Sequence, residues 1–149
     1  MVTCCFFGHK ETPPGISDKL EEVLEKLILE NSADYFLVGN QGGFDTIVLC
    51  VLRKLKGIYP WITYSIVLAY MPGRKEDWTP YDPMETLLPE GLESVHPRYA
   101  ISWRNKWMIQ EADVVVTYVT HSWGGAAQFA EMAKKQKKQV INIKDSADK

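Results

Sequence analysis

Four short stretches concentrate the residue types that can hold an anion. They read Gly8-His9-Lys10, Gly39-Asn40-Gln41-Gly42-Gly43-Phe44-Asp45, Met71-Pro72-Gly73-Arg74-Lys75 and Thr120-His121-Ser122-Trp123-Gly124-Gly125. Two of them carry a glycine pair directly ahead of a helical pattern. Glycine lets the backbone approach a ligand closely and present its N–H groups. A helix N-terminus adds unpaired donors and a dipole that favours negative charge. Lys10, Arg74 and Lys75 supply cationic contacts from the other loops. Phosphate is the anion that suits this combination. The candidate ligand contacts are therefore Gly8, His9, Lys10, Gly39, Gln41, Gly42, Gly43, Asp45, Arg74, Ser122, Gly124 and Gly125.

Each signal also has a plainer reading. Either glycine pair serves equally as a tight turn. His9 and Asp45 suit helix caps, and His121 suits a loop with no part in proton transfer. Trp103, Trp107 and Trp123 fit a core or an interface as well as a stacking surface. What favours a ligand is the coincidence of these loops on one edge of a sheet.

The elements around the loops supply that edge. Val2 to Phe7, Tyr35 to Val38, Tyr64 to Tyr70, Val114 to Val119 and Val140 to Ile143 are apolar runs of strand length. Between them lie helical patterns. One, capped by Ser17, buries Leu20, Val23, Leu24, Leu27 and Ile28. The others cover Thr46 to Leu55 with Gly57 as C-cap, Tyr99 to Glu111 with Ile101, Trp107, Met108 and Ala112 inward, and Ala126 to Lys137. Residues 71 to 98 hold five prolines and show no clear period, apart from a possible helical turn at Met84 to Leu88. Lys144 to Lys149 reads as a polar tail. Continuous apolar strands alternating with helices predict an α/β fold, a three-layer, Rossmann-like parallel sheet of about five strands with helices on both faces. In a parallel sheet all strand-to-helix loops share one edge, and open sheets bind ligands there.

Bulk properties narrow the class. With 149 residues the chain suits one domain spanning residues 1–149, and burying roughly 70% of its unfolded surface makes covalent staples unnecessary. Cys4, Cys5 and Cys50 are too few and too irregularly spaced for a disulfide framework or a zinc site. Cys4 and Cys5 sit in an apolar run and read as small buried hydrophobes. No metal site and no cofactor are expected. No stretch approaches the roughly 18 apolar residues of a membrane span, and no secretory signal is visible, so no membrane partner and a cytoplasmic location are expected. The net charge of −2 argues against nucleic acid as a partner.

The ordered set of motifs resembles the SLOG superfamily, which groups DprA-like proteins with lonely-guy proteins, and within it the small bacterial proteins of YpsA type. The resemblance is carried by Phe6-Phe7-Gly8-His9-Lys10, by Gly39 to Asp45, by Arg104-Asn105 ahead of Glu111-Ala112-Asp113-Val114, by Trp123-Gly124-Gly125, and by the final Val140-Ile141-Asn142-Ile143 strand. It implies a Rossmann-like fold and a nucleotide or nucleotide-derived small molecule at the carboxyl edge, held by a sensor or binding protein. It also implies a homo-oligomer, most simply a dimer.

Two alternatives follow from the same resemblance. The first is a phosphoribohydrolase that cleaves the N-glycosidic bond of nucleoside monophosphates. That branch carries Gly-Gly-x-Gly-Thr-x-x-Glu with an arginine on the preceding helix. Gly124 and Gly125 match, Glu131 takes the glutamate place and Arg104 the arginine place, which would make Glu131 and Arg104 catalytic. Ala127 and Gln128 replace the third glycine and the threonine. Glu131 equally suits a solvent-facing residue paired with Lys134 or Lys135. The second alternative is a DNA-processing accessory or interaction module, with Trp103 and Trp107 at a subunit interface.

Overall fold

The computed structural model describes residues 1–70 and 83–144. Six parallel strands form one sheet: β1 (Val2–Gly8), β2 (Ala33–Val38), β3 (Thr63–Val67), β4 (Thr86–Leu87), β5 (Val114–Tyr118) and β6 (Gln139–Asn142). Their spatial order is β4-β3-β2-β1-β5-β6. From the central β1 the chain winds outward through β2, β3 and β4. It then returns to the other side of β1 and continues through β5 to β6. The direction of winding therefore reverses between β1 and β5.

Among the described residues four α-helices cover the sheet: α1 (Ser17–Glu30), α2 (Gly43–Ile58), α3 (Ala100–Glu111) and α4 (Gly125–Lys135). Side chains alternate across β1 as the pleat requires. Cys4 and Phe6 join the core beneath α1 and α2, with Leu20, Leu24, Phe36, Phe44 and Leu52. Cys5 and Phe7 join the core beneath α3 and α4, with Leu37, Met108, Val115 and Phe129. Burial drives the Cys4 thiol up to about 12, so it stays protonated and inert. Cys50 is exposed.

The structure amends several boundaries. Ser17 is the first residue of α1 rather than its cap, because a 3-10 turn over Pro14–Ile16 leads the chain into the helix already wound. Gly57 lies inside α2, whose last carbonyls are met by the Tyr59 N–H donating to Leu55. Met84 to Leu88 is not one helical turn. A 3-10 turn at Pro83–Glu85 runs into the two-residue strand β4, paired with Ile66 and Val67. Ile101 is exposed, and the inward line of α3 is Ala100, Arg104 and Met108. Among the described residues no helix is long and apolar enough to cross a membrane.

Candidate functional site

At the reversal between β1 and β5 the neighbouring crossovers leave toward opposite faces, α1 on one side and α4 on the other. Strand ends that part in this way leave a crevice. Here it is a cavity of about 620 Å³, lined by the loops after β1, β2 and β5 and by α3. Gly8, His9 and Lys10 line it from the first loop, and Gly39, Gln41, Gly42 and Asp45 from the second. Arg104 lines it from α3, and Gly124 and Gly125 from the start of α4.

The two glycine pairs are not equivalent. Gly42 and Gly124 share one backbone state just before their helices, with φ 92° and ψ −177° at Gly42 and φ 92° and ψ 172° at Gly124. Side chains are essentially excluded from that region. At α2, however, the loop after β1 fills the helix start. The Gly43 N–H donates to the Lys10 carbonyl at 2.7 Å, and a Cβ on Gly42 would meet the Lys10 Cα at 2.8 Å. This pair therefore serves loop packing. At α4 the space is free. A Cβ on Gly125 would meet nothing within 4 Å, and one on Gly124 would meet only the His121 ring at 3.9 Å. The first turn of α4 is the helix start whose donors face open space.

Arg104 is 1% exposed. It lies one helical turn after Ala100 and one before Met108, on the face of α3 that packs inward. Its Nη1 donates to Asn40 Oδ1 at 3.0 Å and to the Val67 carbonyl at 2.9 Å. Its Nε donates to Asn105 Oδ1 at 2.8 Å. All three acceptors are neutral. Among the described residues no carboxylate comes within ion-pair distance of it. Burial lowers its basicity, and the nearby Asp45 charge partly restores it. A buried cation bordering a cavity without a close counter-charge is suited to an anion from outside.

Asp45 stands across Gly39 from Arg104. A Cβ on Gly39 would lie 2.9 Å from Asp45 Oδ2 and 3.3 Å from Arg104 Cζ, so only glycine fits between them. Asp45 Oδ2 accepts the Gln41 N–H at 2.9 Å. Burial pushes its carboxyl up to about 6, against the opposing pull of that N–H and of Arg104.

Three rings stack at the mouth. His9 lies on His121 with centroids 3.8 Å apart and planes 14° from parallel, and His121 lies on Trp123 at 3.8 Å and 18°. The Thr120 N–H donates to His9 Nε2 at 2.9 Å, which fixes the first ring as an acceptor there. The His121 Nδ1 lies 2.9 Å from the Trp123 carbonyl and, facing a carbonyl, acts as donor. Desolvation, then the neighbouring His121, holds His9 below the usual histidine range.

The structure does not unite every residue singled out from sequence. Glu131 is exposed and lines a second, larger groove of about 1260 Å³ between α4 and β6, together with Ser122, Lys134 and Lys135. Arg104 does not line that groove, and Glu131 does not line the cavity at the reversal. Among the described residues the carboxylates that do line the cavity are Glu11 and Asp45. Arg74 and Lys75 lie outside the described residues. Trp103 and Trp107 are half-buried against intrachain clusters. Sequence reasoning gave no combined role to His9, His121 and Trp123. His121 and Trp123 share one loop, but His9 comes from the loop after β1, so no local spacing signals the three-ring stack.

No protein-family model matches the chain, and no curated protein sequence matches it. Solved structures do. DNA processing protein A (DprA) from Streptococcus pneumoniae superposes with a TM-score of 0.68 at 15% identity, over 94% of this chain and 49% of that one. This chain thus spans about half the length of that relative. DprA from Helicobacter pylori, described for its unique single-stranded DNA binding mode, superposes with a TM-score of 0.58 at 13% identity, over 97% of this chain and 70% of that one. This likeness overturns the expectation, drawn from the net charge, that nucleic acid is excluded as a partner. Net charge averages the whole surface, whereas binding depends on local charge, and Lys10 and Arg104 meet at one cavity. What the likeness establishes is that the chain has a Rossmann-like fold similar to that of these DprA proteins.

Proposed function

We propose that the chain binds a phosphate-bearing nucleotide in the cavity between the β1 and β5 loops, as a binding or sensing protein. One observation carries the reading. The open first turn of α4 faces the same cavity as Arg104, a buried cation whose hydrogen-bond partners among the described residues are all neutral. Backbone donors and a guanidinium lining one cavity suit a phosphate. A volume of about 620 Å³ falls within the range of small-molecule sites.

Thermal shift and calorimetry with AMP test the reading. AMP should stabilise the protein, and Gly125→Ala should weaken binding about tenfold or more by placing a methyl group where the phosphate approaches. Folded protein that neither AMP nor other nucleoside phosphates stabilise would refute it.

A second reading has its own support. On this reading, supported by the fold likeness to a protein with a single-stranded DNA binding mode, the nucleotide is one unit of a strand. A short oligodeoxynucleotide that binds more tightly than AMP, with a steep loss in salt, would favour this reading. The phosphoribohydrolase alternative draws less support, because Glu131 and Arg104 border different cavities. Such chemistry in this cavity would have to use Asp45 or Glu11.

A further inference from the structure

We infer that the free face of Trp123 seats the base of the ligand, so that the cavity selects base-bearing nucleotides over sugar phosphates. This rests on the nucleotide reading above and adds to it a recognition surface. Trp123 lines the cavity beside Gly124 and Gly125. One face of its indole lies on His121, yet the residue remains 69% exposed, so its opposite face is uncovered among the described residues.

An indole left in water costs hydrophobic free energy and is normally mobile. This one is held in place. His121 supports it from beneath and contacts its own backbone carbonyl, and His9 supports His121. His9 in turn is fixed by the Thr120 N–H. A planar apolar surface that is braced before the ligand arrives loses little entropy on stacking. Base–aromatic stacking tolerates any base and is strongest for the widest rings. Trp123 is two residues before Gly125 in the chain. A phosphate at the first turn of α4 and a base on Trp123 would share one cavity, because Trp123, Gly124 and Gly125 all line it.

The test compares AMP with ribose 5-phosphate, which keeps the sugar and phosphate and lacks the base. Calorimetry on the full chain should show AMP binding at least about tenfold more tightly, as expected of one stacked base. Trp123→Leu should remove most of that advantage while leaving ribose 5-phosphate unchanged. Trp123→Phe, which keeps a ring, should restore part of it. Because Trp123 is exposed, these variants should fold, and circular dichroism checks this. Equal affinity for the two ligands in the wild type, or an AMP preference that survives Trp123→Leu, overturns the stacking inference and leaves the phosphate site standing. If neither ligand binds, the nucleotide reading fails and this inference falls with it.

Discussion

His9 and His121 come from loops on either side of the point where the strand order reverses, and they stack with their centroids 3.8 Å apart. The pair lines the crevice between β1 and β5. It also sets a charge constraint, because two imidazolium rings in contact repel one another and a protonated His9 Nε2 could no longer accept the Thr120 N–H.

This constraint predicts a pH dependence. The folded pKa of His9 lies below its unfolded value, so near and below pH 6.5 the unfolded chain takes up a proton that the folded chain resists. Its contribution is neutral at pH 8 and becomes destabilising as the pH falls through the ordinary histidine range. His9→Phe keeps a ring and removes the titration. Urea unfolding from pH 8 to 5 should show a steeper acid-side loss for the wild type than for the variant. Parallel pH profiles would show that His9 does not titrate against the stack.

Asp45 has the opposite sign. Its folded pKa of about 6 lies above the ordinary 3.8, so the ionised form costs the folded state. The cost is full above pH 6 and disappears as the pH falls below about 4. Asp45→Asn preserves the acceptor for the Gln41 N–H and removes the charge. It should stabilise the protein at pH 7.5, by about 1 kcal/mol after solvent screening and the lost support of Arg104, and give no gain at pH 4. It should also tighten phosphate binding, because the incoming anion then meets one like charge fewer in the cavity. Denaturation at the two pH values and calorimetry with AMP check both effects.

Gly8 and Gly125 should separate folding from binding. A Cβ on Gly8 would collide with the Phe44 ring, which is fully buried. Gly8→Ala should therefore destabilise by about 3 kcal/mol or more. Gly125→Ala meets nothing within 4 Å and should keep stability within about 0.5 kcal/mol while AMP binding weakens about tenfold or more. Chemical denaturation and AMP titration on both variants give the comparison.

At the far edge, β4 is tied down by side chains. Arg53 grips Glu85 with Nε–Oε2 at 3.0 Å and Nη2–Oε1 at 2.9 Å, and the Tyr64 hydroxyl donates to the same carboxylate at 2.6 Å. Glu85→Ala should cost about 1 kcal/mol, since the ion pair is partly exposed. It should also speed hydrogen exchange at the Leu68 amide, which donates to the Leu87 carbonyl at 2.9 Å. Unchanged exchange at Leu68 would show that β4 holds without the clamp.

The strands that could be read in advance are those buried on both faces. Val114 to Tyr118 is a nearly unbroken apolar run because helices cover both of its sides. The two-residue β4 had no such signature, because it is held by Arg53 and Tyr64 from elsewhere in the chain. The inward Arg104 was named from a family motif. Its helical spacing from Ala100 and Met108 was already visible, but a buried arginine is the opposite of what periodicity looks for.

The amino-acid sequence alone determined the layered α/β architecture and the gathering of the glycine loops on one edge, because strand and helix periods and parallel pairing are local consequences of apolar spacing. Tertiary structure decided which of those loops work together. Only the strand order could show that the winding reverses at β1 and β5. Only the packing could show that Lys10 fills the Gly42-Gly43 helix start while the Gly124-Gly125 start stays open. These outcomes depend on contacts between residues more than 30 positions apart, and no local pattern encodes them.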